Sequence, residues 1–166
     1  MLGLGEPSVK RLTKKISNQM IGFQSVMYRL SHEQLGISQQ DIVKLEITFF
    51  AMSLVTLSTS YLSKYKNKMA AIESAQFDVL RASLQHSESE ISLEKAVSSY
   101  RERFQQYKGF FDILVDQKQL DPEIDIALLF VKNVSRGKAE RPSFIVAQQI
   151  FAQVITDNLN FVKNVL

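Results

Sequence analysis

Apolar residues recur at intervals of three and four along almost the whole chain, and no stretch alternates apolar and polar positions as a strand does. The pattern predicts helices and no sheet. In the first segment Val9, Leu12, Ile16, Met20, Phe23, Met27 and Leu30 form one continuous stripe, with Ser8 in the place of an N-cap and Gly36 closing the following turn. A second helix is expected to open at Ser38, whose hydroxyl can cap the Asp41 amide, and to present Ile42, Leu45, Phe49 and Met52 to the core.

From Ile37 to Lys108 there is neither glycine nor proline, so polarity must place the breaks. Two weak spots are Lys64-Tyr65-Lys66-Asn67-Lys68, which repels itself, and His86-Ser87-Glu88-Ser89-Glu90, whose short polar side chains compete with the backbone. One unbroken rod from Ser38 to His86 would be roughly 70 Å long. A compact chain of this size is about 40 Å across, so a break near Asn67 is expected.

Phe77, Leu80 and Leu84 then make a shorter stripe, flanked by Ile72 and Val79. Leu93, Val97, Tyr100, Phe104, Tyr107, Phe111 and Leu114 follow a heptad seam, interrupted by Gly109 as a kink or a close crossing. Asp121-Pro122-Glu123 is a helix start, and Ile124 to Val131, apolar on most sides, should lie centrally. Pro142-Ser143 opens a last helix carrying Phe144, Ala147, Phe151, Val154, Ile155, Val162 and Val165, its stripe interrupted at Asn158. Together these predict one domain over residues 1–166, an all-α, compact bundle of five or six helices with mostly antiparallel neighbours.

Composition narrows the chemistry. The 166 residues are 45% hydrophobic and contain no cysteine, which removes thiol catalysis, zinc–thiolate sites and disulfides. The apolar run from Ile47 to Leu57 is too short and too rich in hydroxyls for a transmembrane span, and no signal-peptide pattern opens the chain. A soluble, cytoplasmic protein is the default expectation. The histidines, His32 and His86, sit beside no nucleophile elbow. Acids embedded in apolar runs, Glu46, Asp78, Asp112 and Asp125, lack the partner histidines of di-metal bundles, and no phosphate-binding glycine loop is present. No catalytic residue, cofactor or metal is therefore expected.

Net charge is only +3, yet residues 1–30 hold Lys10, Arg11, Lys14, Lys15 and Arg29 against Glu6 alone. Lys10 and Lys14, like Arg11 and Lys15, are four apart and flank the apolar stripe. Lys10, Arg11, Lys14 and Lys15 are the candidate contacts for an acidic partner or an anionic surface. Tyr100, Phe104, Tyr107 and Phe111 are the candidate apolar groove for a ligand or partner helix.

By elimination, the expected function is non-enzymatic: binding a macromolecular partner as an adaptor, inhibitor or assembly subunit. The partner expected is another protein or a second copy of this chain. Two alternatives stand beside it. One is a small-molecule-binding regulator with an apolar pocket in the bundle. The other is a binder of nucleic acid or an anionic membrane surface through the basic first helix. Nucleic acid is disfavoured because no helix-turn-helix pattern occurs.

Overall fold

The computed structural model describes residues 6–33, 36, 40–61, 69–85, 91–117, 122–135, 148, 152–158 and 160. The chain is an all-α bundle with helices α1 (Glu6–Glu33), α2 (Gln40–Tyr61), α3 (Met69–Gln85), α4 (Leu93–Gln117) and α5 (Pro122–Ser135). A further helical stretch covers residues 152–158.

The stripe on α1 is the buried one: Ile16, Met20, Phe23 and Met27 lie in the core. The helix begins earlier than its capping pattern suggests. Glu6 and Pro7 are already helical, so Ser8 falls within the first turn. Proline tolerates that position because its missing N–H would have no intrahelical acceptor there. Gly36, between α1 and α2, has a φ of 61°, a left-handed conformation that glycine adopts without a steric penalty. Ser38 lies outside the described residues.

Helix α2 is the centre of the bundle and packs against α1, α3, α4 and α5. Its burial extends well beyond Leu45, Phe49 and Met52. Those residues and Val55 enter one core cluster with Ile16, Met20, Ile72, Leu80 and Tyr100. From the opposite side of α2, Val43, Ile47, Phe50 and Leu54 enter a second cluster with Met27, Phe111, Phe130 and Ile155. A helix buried on both sides needs no polar face, which is why α2 is apolar nearly all round. By length and composition the window Val43–Ser60 could cross a membrane, and 83% of it is buried inside the bundle.

Several hydroxyls of that window are satisfied locally. Thr48, Ser53 and Thr59 each donate to the carbonyl four residues earlier, at 2.8, 2.7 and 2.7 Å. Asn158, which interrupts the last stripe, is fully buried and donates to the Leu54 carbonyl (3.1 Å) and the Ser58 hydroxyl (2.7 Å). It is thereby a polar rivet between the C-terminal stretch and α2.

A break between α2 and α3 follows from one hydrogen bond. Gln76 Nε2 donates to the Met52 carbonyl at 3.0 Å, whereas one straight helix would hold those residues about 36 Å apart. The break lies between Tyr61 and Met69, and Asn67 itself is outside the described residues. On α4 the aromatic seam turns as it runs. Leu93 is 38% exposed while Tyr107 and Phe111 are fully buried, the drift expected when a seven-residue repeat sits on a helix of 3.6 residues per turn.

Gly109 marks no close crossing: it is exposed, and a Cβ there would meet nothing within 4 Å. Gly109→Ala is therefore expected to stabilise the fold by up to about 1 kcal/mol, read as a higher urea midpoint at unchanged slope.

Candidate functional site

Two surfaces and one part-buried network concentrate the polar chemistry of the bundle. The first surface is the outer face of α1. With Ile16, Met20, Phe23 and Met27 turned inward, helical geometry turns Arg11, Lys14, Lys15, Asn18, Ile21, Gly22, Val26 and Arg29 outward, and all of these are exposed. Among the described residues none of the four cations forms an ion pair. Ile21 (52% exposed), Val26 (37%) and Leu93 are the exposed large hydrophobic residues among those described, so two of the three share this helix. Gly22 lies between Ile21 and Val26, with open space where a Cβ would stand. Of the four basic residues singled out in the sequence, Arg11, Lys14 and Lys15 belong to this face. Lys10 is in α1, and its side chain is outside the described residues.

The second surface is a groove of about 410 Å³ where α1, α2 and α3 meet. Gln24 spans its floor, Nε2 donating to Thr48 Oγ1 at 2.8 Å and to Ser83 Oγ at 3.3 Å. Ile21, Ile47, Val79 and Ala82 supply apolar walls, and Tyr28 and Lys44 also line the groove.

The aromatic quartet on α4 does not form a single groove. Tyr107 and Phe111 are core residues, while Tyr100 and half-buried Phe104 line a recess of about 200 Å³ shared with Thr56, Gln76 and Phe77. Two causes separate them: the seam rotates along α4, and α5 covers its C-terminal half, as Asn133 Nδ2 donating to Tyr107 Oη at 3.4 Å records.

The part-buried network joins α2, α4 and α5. Arg103 Nε donates to both carboxylate oxygens of Glu46 (3.1 and 3.0 Å), and Nη2 donates to Oε1 at 3.0 Å. Gln106 Oε1 accepts from Arg103 Nη1 and from Asn133 Nδ2, both at 3.5 Å. The Glu46 hydrogen bonds hold the Arg103 guanidinium above its ordinary pKa, outweighing the desolvation that lowers it. Glu46 stood out in the sequence as an acid within an apolar run, but its partner, 57 residues away, left no local signal. The remaining acids make surface pairs, Asp78 with Arg81 and Asp112 with Lys108. Asp125 is outside the described side chains. Among the described residues no group of three or more His, Asp or Glu side chains converges on a metal position.

Burial pushes the Tyr100 phenol up to about 12, partly opposed by the Thr56 hydroxyl, and burial raises Tyr107 against the opposing effect of Asn133. In the unfolded chain both phenols ionise near pH 10, so rising pH above that value favours the unfolded state. Stability is then complete below about pH 10 and falls by roughly 2–3 kcal/mol for Tyr100 alone as pH approaches 12. Urea denaturation across that range checks this, and Tyr100→Phe should flatten the slope.

Comparison of the chain with family models, characterised proteins and solved structures finds no match.

Proposed function

We propose that this chain is a non-enzymatic binding protein that docks an acidic protein partner on the outer face of α1. The observation that carries this reading is the composition of that face: four cations without an ion pair among the described residues, set around exposed Ile21 and Val26. Exposed apolar residues rimmed by charge are common at docking sites. Gly22 costs a helix interior about 1 kcal/mol relative to alanine, and its open surface lets a partner backbone approach closely. The complementary surface is an amphipathic helix whose Asp and Glu residues flank an apolar stripe. Acids there would meet Arg11, Lys14, Lys15 and Arg29, with field effects reaching roughly 8–10 Å in physiological salt.

Affinity capture from the native host, followed by titration of the purified captured protein, tests this. Replacing Lys10, Arg11, Lys14 and Lys15 with Gln should weaken binding at least about tenfold and remove most of its salt dependence. Melting temperature should stay nearly unchanged, since exposed charges contribute little to folding. Undiminished binding by the quadruple variant would overturn the proposal. So would a preference for nucleic acid or anionic vesicles over an acidic protein.

A further inference from the structure

The groove between α1, α2 and α3 adjoins the outer face of α1 and shares Ile21 with it, but carries chemistry of its own. Its Gln24 floor fixes the local register: Gln24 on α1 stands opposite Thr48 on α2. Ile16 and Met20 share a core cluster with Met52 and Val55, and Met27 shares one with Val43, so the two helices run antiparallel and one turn along each, in opposite directions, brings Tyr28 to the level of Lys44. Both line the groove, at the end nearest Gly36. Neither the Lys44 ammonium nor the Tyr28 hydroxyl has a hydrogen-bond or ion-pair partner among the described residues. Away from that end the lining is Ile21, Ile47, Val79 and Ala82. The groove is thus polarised, with two donors at one end and an apolar body.

Volume decides what it can hold. At about 410 Å³ the groove falls within the range of small-ligand sites. Thr48 and Ser83 are already engaged by Gln24, which leaves the Lys44–Tyr28 end as the place for a ligand's charged head. We infer that this groove binds a small amphipathic carboxylate, its apolar body between Ile47, Val79 and Ala82 and its carboxylate on Lys44 and Tyr28.

The test uses the full chain and dodecanoate below its micellar concentration, followed by calorimetric titration. Saturable one-to-one binding is expected. Lys44→Gln should weaken it at least about tenfold, the usual value of a charge-assisted hydrogen bond, and Lys44→Arg should restore much of it. Ala82→Phe fills the groove from an exposed position that the fold tolerates, and should abolish binding at an unchanged melting temperature. Dodecylamine should fail to compete. Non-saturable uptake, equal competition by the amine, or full binding by either Lys44→Gln or Ala82→Phe would overturn the inference. None of these substitutions alters Arg11, Lys14, Lys15 or the shared Ile21, so failure of this inference and failure of partner docking on α1 are distinguishable.

Discussion

Phe50→Ala is expected to cost about 3–5 kcal/mol, the range for removing a fully buried aromatic ring. Phe50 sits at the junction of three helices: its ring centroid is 5.1 Å from Tyr107 on α4 and 4.8 Å from Phe130 on α5. Truncation removes both ring contacts and leaves a cavity in the middle of α2, where neighbouring helices on both sides limit collapse. Urea denaturation checks the value. A melting-temperature drop of roughly 6–20 °C should accompany it, at about 2–4 °C per kcal/mol for a chain of this size. Phe104→Ala provides the contrast. That ring is half-buried between the two core clusters, so its loss should fall below about 3 kcal/mol.

Arg103→Met is the second large effect, because it leaves Glu46 buried without its counter-charge. Breaking a fully dry ion pair costs about 3–5 kcal/mol. Here the Arg103 side chain is 25% exposed and that of Glu46 10%, so water reaches the pair and about 2–4 kcal/mol is expected. Adding Glu46→Leu should recover most of the loss, since two apolar side chains of similar volume replace two desolvated charges. A double-mutant cycle in urea measures the coupling. A double variant no more stable than Arg103→Met would mean that the site cannot repack.

These two residues also mark what could be read from the sequence. The α1 stripe, the turn at Gly36 and the start at Pro122 were legible because each depends on neighbours within one or two turns. The apolar run of α2 was legible, but the sequence marked only one core face, at Ile42, Leu45, Phe49 and Met52; burial on both sides depended on four other helices. Asn158 read as an interruption because its partners, Leu54 and Ser58, are about 100 residues away. The aromatic seam of α4 was legible as a repeat, yet its division into exposed, recessed and buried positions came from the drift of the helix and the cover of α5. The groove at Gln24, Tyr28 and Lys44 had no sequence signal, since antiparallel register alone brings these residues together.

Backbone amide NMR during titration with the purified captured partner reads the proposed recognition through the outer face of α1. The expected result is shift changes or broadening along Lys14, Asn18, Ile21, Gly22 and Val26, absent when the quadruple Gln variant is titrated. Perturbations confined to α4 and α5, with α1 unmoved, would contradict it.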